Sequence, residues 1–276
     1  MNQSIIAASV SMSNLQRKLD IISDNVANLD THGYKRKTAS FSDVLTTVQQ
    51  QLPEFELQGR ATPLGYTSGY GTHLTSVMRD FSQGEFVTTN LATDLALEGN
   101  GLFEILTPEG TAYVREGDFQ LSPVNEDEVM LTTRDGYPIM SADNSDIRIQ
   151  NGYQMQIDTA GRVYEVNSEL GEQNLVGVIK TVQPIKPELL QQLANNHYVI
   201  PEGVAVDSVV QQLDLTNIPA DGIVPLVVRQ GVLENSNVSL TDELTDLIQA
   251  QRAYQMAARA LTSGDSMWGL ANNLRG

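Results

Sequence analysis

Residues 1–33 read MNQSIIAASV SMSNLQRKLD IISDNVANLD THG. Met1, Ile5, Ala8, Met12, Leu15, Leu19, Ile22, Val26 and Leu29 are apolar and follow one another in alternating steps of four and three. A mean period of about 3.5 is the spacing of a helix that packs along another helix. The far end of the chain carries a matching rhythm in Leu240, Leu244, Leu247, Tyr254, Ala258 and Leu261, broken at Gln251. The reading is an N-terminal and a C-terminal helix pairing as a coiled coil. Leu15, Leu19, Ile22 and Val26 are expected to face Leu240, Leu244, Leu247 and Tyr254 as the assembly interface. A seam of this kind stays frayed without a deep partner, so it is completed by the other terminus, by neighbouring copies, or by both.

The first helix is expected to stop at Asn28-Leu29-Asp30-Thr31-His32-Gly33. Glycine takes the left-handed conformation that ends helices, and Asn and Asp compete for backbone hydrogen bonds. Asn25, Asn28, Thr31 and Gly33 form this helix-stop motif. Asn25 and Asn28 fit two readings equally: ordinary helix-end polarity, or amides that tie down the turn out of the helix. Lys35, Arg36 and Lys37 follow at once and read as solvated cations beside the negative end of the helix dipole. The C-terminal helix is expected to begin near Ser239 or Thr241, with Asp242 and Glu243 suiting its positive end. Gly264 is expected to interrupt it or to mark a register slip.

Between the seams the pattern changes. Residues 34–80 read as an extended connector, with a short amphipathic helix over Phe41–Leu52 carried by Phe41, Val44, Leu45 and Val48. After Pro53, Gly59, Gly65, Gly69 and Gly71 leave too little apolar content for a core. Residues 81–230 read as a β-rich body. Turn signals recur at Gly99-Asn100-Gly101, Glu109-Gly110, Asp135-Gly136, Asn151-Gly152 and Ala160-Gly161, with short apolar runs between them. No long helices alternate with these runs, so the body is antiparallel rather than built from βαβ units. The fold class is α+β, divided as 1–33 N-terminal helix, 34–80 connector, 81–230 body and 231–276 C-terminal helix.

The formal charge of −17 argues against a nucleic-acid partner, which needs a concentrated basic surface. The chain has no cysteine, which excludes disulfides and thiolate chemistry. No stretch reaches the roughly 20 apolar residues that span a bilayer, and no cleavable signal is read in the N-terminal heptads. A search for catalytic sets returns little. His32, His73 and His197 are far apart and read as surface or turn histidines. No phosphate-cradling loop or nucleophile elbow occurs. Glu126-Asp127-Glu128 reads as a solvated hairpin loop. The expectation is a protein with no enzymatic activity, no cofactor and no metal.

Three stretches carry a resemblance. Ser23-Asp24-Asn25-Val26-Ala27-Asn28-Leu29-Asp30-Thr31-His32-Gly33-Tyr34-Lys35-Arg36 is similar to the N-terminal signature of the bacterial flagellar rod and hook family. Thr93-Asp94-Leu95-Ala96-Leu97-Glu98-Gly99-Asn100-Gly101-Leu102-Phe103 resembles the segment that opens that family's β domain. Gln230-Gly231-Val232-Leu233-Glu234-Asn235-Ser236-Asn237-Val238, leading into Leu247-Ile248-Gln249-Ala250-Gln251-Arg252-Ala253-Tyr254-Gln255, resembles its terminal motif. Asp24 and His32 depart from the family pattern, where Asn and a small residue or Pro are usual.

The resemblance implies a structural subunit of the flagellar basal body, exported uncleaved through the flagellar export apparatus. It further implies polymerisation with itself and other rod or hook subunits into a helical tube, with the terminal helices lining the inner wall. A distal rod position suits the length and the body segment best, with a proximal position next. A secreted binding module (an adhesin or chaperone) with a helical stalk is the rival reading.

Overall fold

The computed structural model of the chain describes residues 2–43, 47–50, 65–68, 72–167, 171–193, 196–213, 215 and 226–273. It divides into two compact units. One comprises Met1–Val26, Lys37–Met78 and Ser239–Gly276, the other Ala27–Arg36 and Arg79–Val238.

The first unit holds the two terminal helices, Asn2–Ala27 and Leu240–Asn273. The C-terminal helix starts one residue after Ser239 and carries Asp242 and Glu243 in its first turn, where negative charge is favoured. It runs unbroken through Gly264, contrary to the expected interruption. The glycine serves a close approach instead: a Cβ on Gly264 would lie 3.0 Å from Cγ1 of Ile5, so the Ile5 side chain would have to give way to a larger residue. Along the same line of the helix, seven residues apart, Glu243 and Ala250 are buried, Ala257 is half-buried and Gly264 is buried.

The rest of this unit is β ribbon. Lys37–Asp43 pairs with Thr72–Arg79, and Thr47–Gln50 pairs antiparallel with Gly65–Ser68. The helix expected over Phe41–Leu52 is therefore corrected, since its described residues 41–43 and 47–50 are strand. Lys37, Ala39 and Phe41 are half-buried while Thr38, Ser40 and Ser42 are exposed, the period of two that a strand imposes. The β-branched Thr47 and Val48 favour the same state. Residues 44–46, 51–64 and 69–71, with Gly59, Gly69 and Gly71, and Leu274 lie outside the described residues.

The second unit is the antiparallel body. Its main sheet has six strands in the order Gln191–Gln192, Tyr198–Val199, Gly110–Val114, Leu102–Thr107, Thr181–Pro184, Val210–Leu213. Successive side chains on Leu102–Thr107 serve two cores. Phe103 and Ile105 join Leu95, Val114, Leu131 and Ile139 on one side, and Leu102 joins Tyr113, Val182, Tyr198 and Val209 on the other. Two three-stranded sheets extend the body: Gln120–Pro123, Glu128–Thr132 and Arg148–Gln150, and then Gln154–Ile157, Arg162–Val166 and Gln173–Val178.

The Ala160-Gly161 signal becomes the turn of a hairpin with Gly161 at φ +72°. Glu126-Asp127 occupies the turn between Gln120–Pro123 and Glu128–Thr132, and both side chains are exposed. Two strand pairs bring the chain's late segment back onto its early body: Leu95–Glu98 with Val227–Gln230, and Phe86–Thr88 with Val232–Glu234. The second pair places Glu234 where the helix-exit loop arrives.

Candidate functional site: a buried junction of the chain's two ends

The loop that leaves the N-terminal helix is drawn into the β body. Thr31 N–H donates to Asn28 O at 3.3 Å and Thr31 Oγ1 to Asn28 Oδ1 at 3.3 Å, which folds the chain back after Ala27. Gly33 then sits at φ +69°, and its N–H donates to Glu234 O at 2.8 Å. A Cβ on Gly33 would stand 2.5 Å from Glu116 N and 2.7 Å from Arg115 C, so the loop lies directly on that backbone. Tyr34 and Lys35 follow it into the interior, 2% and 1% exposed.

Lys35 is not a solvated helix-end cation, contrary to expectation. Its Nζ donates to Glu234 Oε1 at 2.7 Å and to Ser82 O at 2.7 Å. Glu234 Oε2 accepts from Arg115 Nε at 2.6 Å, and Glu234 Oε1 also accepts the Gly84 N–H at 2.8 Å. Arg115 completes its bonding with Leu97 O at 2.7 Å and with Gly101 O. Lys35, Arg115 and Glu234 thus form a buried two-cation, one-anion cluster in which every charged group has backbone partners, the condition for burying ions. Burial opposes ionisation of Glu234, but Arg115 and Lys35 outweigh it and hold the carboxyl below its ordinary value. Burial, with Arg115 beside it, pulls Lys35 below the usual lysine value, and Glu234 only partly restores it.

The neighbouring segments are tied in the same way. Asn237 Oδ1 accepts the Arg36 N–H at 2.8 Å, and its Nδ2 donates to Asp80 O at 2.8 Å. His32 Nδ1 lies 3.1 Å from Asn235 Oδ1. In the helical unit, Asn25 grips the main chain of Lys37 from both sides, donating to its O and accepting from its N–H, each at 2.9 Å. Lys37 Nζ pairs with Asp24 at 2.5 Å. Of the two readings left open for Asn25 and Asn28, both amides therefore hold the chain beyond the helix.

An acidic group borders the junction. Burial, with Asp118 and Asp135 adding to it and Arg134 opposing, pushes Glu116 up to about 7. A carboxyl raised in the folded state stabilises fully below its unfolded value, and that contribution is lost as pH rises from about 4.5 through 7. Glu116→Gln is expected to gain about 1–2 kcal/mol over the wild type at pH 8, once solvent screening is allowed for, and nothing at pH 4. Paired urea melts at the two pH values measure it, and an equal gain at both would remove titration as the cause.

Of the two readings for His197, surface or turn, the second holds: it lies in the loop joining Gln191–Gln192 to Tyr198–Val199 and is 5% exposed, against the Tyr137 ring at 5.6 Å and 3.4 Å from Asp135. The side chain of His73 lies outside the described residues. Among the described residues no cluster of ligating groups suits a metal ion, and no helix is long and apolar enough to cross a membrane.

The residues expected at the assembly interface are distributed unevenly. Ile22 is buried, and Leu15, Leu19, Val26, Leu247 and Tyr254 are half-buried. Leu240 and Leu244 are 43% and 45% exposed. The reading of the residues missed Arg115, and it attached no role to Glu234 or Asn237, which stand in the quoted terminal stretch. The available signal was charge inside apolar strands: Arg115 closes Tyr113-Val114, and Glu234 closes Val232-Leu233.

Comparison with known proteins now bears on this geometry. The family model described as "Flagella basal body rod protein" matches residues 6–35, which run through the N-terminal helix to Lys35. That described as "Flagellar hook protein FlgE/F/G D1 domain" matches residues 96–165 of the body. That described as "Flagellar basal body rod FlgEFG protein C-terminal" matches residues 229–274, which include Glu234, Asn237 and the C-terminal helix. The flagellar basal-body rod protein FlgG of Borreliella burgdorferi is 32% identical over all of this chain and 99% of its own length. FlgG of Bacillus subtilis is 32% identical over 97% of both chains. The flagellar hook-basal body complex protein FlhP of Bacillus subtilis is 29% identical over the whole of both. With matches at the helix-exit loop, the body and the Glu234 segment, and a relative aligned end to end, the chain belongs to the flagellar basal-body rod family, whose members are structural proteins and not enzymes.

Proposed function

We propose that this rod subunit polymerises into a helical tube through its terminal helices, at a distal position in the rod. The observation that carries the reading is the two-sided C-terminal helix. One line of it, Glu243, Ala250 and Gly264, is buried within the subunit. Leu240, Leu244 and Ile248, 43–50% exposed, form a second apolar line four residues apart. At about 100° per residue these three fall within an arc of about 80°, and Leu244 lies about 100° round the axis from Glu243. A helix with one line used internally and an apolar one left open suits a heterologous contact that repeats from subunit to subunit without closing. Leu15, Leu19, Ile22, Val26, Leu247 and Tyr254 line the internal coiled-coil pairing in this reading, while Leu240 and Leu244 face the next copy.

The division of labour follows from that. The terminal helices form the assembly core and residues 81–230 the body, with Asn25, Asn28, Thr31 and Gly33 fixing the helix exit. Export through the flagellar apparatus with the N-terminal helix retained is supported by the family match over residues 6–35.

Leu244→Asp tests the reading. The side chain is 45% exposed, so monomer stability should change by no more than about 0.5 kcal/mol. Polymerisation by purified subunits and swimming in a complemented deletion strain should both be lost. Normal rods built from a stable Leu244→Asp subunit would overturn it.

A further inference from the structure

The two terminal helices differ in length. Asn2–Ala27 has 26 residues and Leu240–Asn273 has 34, about 39 and 51 Å at 1.5 Å per residue. The approach of Ile5 to Gly264 fixes where the difference falls. Residues 265–270 are all exposed, so the N-terminal helix runs from Ile5 back along the C-terminal helix, antiparallel to it. Three residues of the N-terminal helix precede Ile5, whereas nine of the C-terminal helix follow Gly264. The longer helix therefore overhangs by six residues, about 9 Å. Trp268 stands on this overhang, 18 residues or five full turns beyond Ala250, and so on the line that is buried at Ala250 and Gly264. Ala250 is 3% exposed and Trp268 43%. The line runs on past the first residue of the N-terminal helix. Met267 and Leu270, 50% and 64% exposed, flank it. A tryptophan between two open apolar side chains has the composition of an interface anchor rather than of a solvated helix end.

We propose that the overhang docks on the open line Leu240, Leu244 and Ile248 of a second copy of the chain, head to tail. The inference rests on the terminal helices being the assembly element, and it names the partner of the open line. A contact that repeats without closing joins two different patches of one chain. Among the described residues of the helical unit, exposed large apolar side chains gather three to a patch at only these two places. Ile6 and Met256 stand singly, and Val77 and Met78, neighbours in one strand, point to opposite faces. The lengths agree as well. The open line runs about 12 Å from Leu240 to Ile248, and the nine residues past Gly264 span about 14 Å. Leu244 and Trp268 are 24 residues apart on one continuous helix, about 36 Å, so a subunit cannot satisfy its own open line with its own overhang.

Two readouts on the full-length chain test this. Trp268 is the only tryptophan in the sequence, so its fluorescence reports the overhang alone. When the wild-type subunit polymerises, its emission should move to the blue and its quenching by acrylamide should fall. The chain has no cysteine, so introduced pairs cross-link without background. Leu244→Cys with Trp268→Cys in one chain, oxidised in the polymer, should give a ladder of dimers, trimers and longer species on a non-reducing gel. No link forms within one copy, since a disulfide needs Cα atoms within about 7 Å. Ile248→Cys with Leu270→Cys is the second pair, and the four single variants should stay monomeric. All four positions are 43–64% exposed, so the monomers keep their fold. A tryptophan as exposed in the polymer as in the monomer would overturn the docking. So would two double variants that stay monomeric, or a single variant that cross-links as well as its pair. Leu244→Asp separates the two readings. If it blocks assembly while neither pair cross-links, the open line is the assembly surface and its partner is not the overhang.

Discussion

Glu234→Ala should lower the unfolding free energy by about 3–5 kcal/mol, the range for removing one partner from a buried ionic group. The loss comes less from the two ion pairs than from what remains. Lys35 and Arg115, 1% and 3% exposed, would be left side by side in the interior with no anion between them. The Gly84 N–H would lose its acceptor as well. Urea denaturation followed by circular dichroism at pH 7 measures the change. Glu234→Gln, which keeps one oxygen and the shape, should lose less. A surface comparison fixes the scale: Arg229–Glu98, with both side chains about half exposed, should be worth less than about 1 kcal/mol when Glu98 is replaced by Ala.

The pH dependence follows from the depressed Glu234 value. Its contribution is fully present above the ordinary glutamate value of 4.5 and is lost as pH falls through the lower folded value. Wild type and Glu234→Ala should therefore converge in strong acid. A loss below 1 kcal/mol at pH 7 would mean that water reaches the cluster.

Gly33→Ala should cost at least about 3 kcal/mol. The φ of +69° alone costs an alanine about 1–2 kcal/mol. The rest is steric: the new methyl would lie 2.5–2.7 Å from backbone atoms of Arg115 and Glu116. That backbone cannot retreat, because the Arg115 side chain is fixed to Glu234, Leu97 and Gly101. Gly152→Ala separates the two causes. Gly152 has φ +90° and nothing within 4 Å of its Cβ position, so the variant bears only the backbone strain. The difference between the two variants, by thermal or urea melts, isolates docking of the helix-exit loop. Equal losses would mean that the loop rests on the body without being held by it.

The junction was half legible in the sequence. The turn chemistry of Asn28 and Thr31 is local, whereas Gly33 stands six residues beyond the last helical residue and gives its N–H to Glu234 O, so its place is set by the body. Lys35 was misread because its partner lies 199 residues away, and no pattern within a window of sequence pairs the two. The run Lys35-Arg36-Lys37 looked like one solvated patch, yet the structure separates it. Lys35 enters the interior, Arg36 gives its main-chain N–H to Asn237, and Lys37 turns to Asp24.

The sequence by itself determined the two terminal helices and the antiparallel character of the body between residues 81 and 230. Periods of 3.5 residues at both ends mark helices, and glycine turns between short apolar runs mark antiparallel hairpins. Both are set by backbone geometry within a few residues. Tertiary structure decided which face is used. The apolar arc of the C-terminal helix is wide enough for several rotations about its axis. Gly264 lets the N-terminal helix approach at Ile5, while Leu240 and Leu244 stay open. It also decided that residues 37–43 are strand, through pairing with 72–79, and that Gly264 is where Ile5 comes close. Each of these depends on a neighbour more than 20 residues distant in the chain, and contact at that range is a property of the packed molecule, not of any stretch of its sequence.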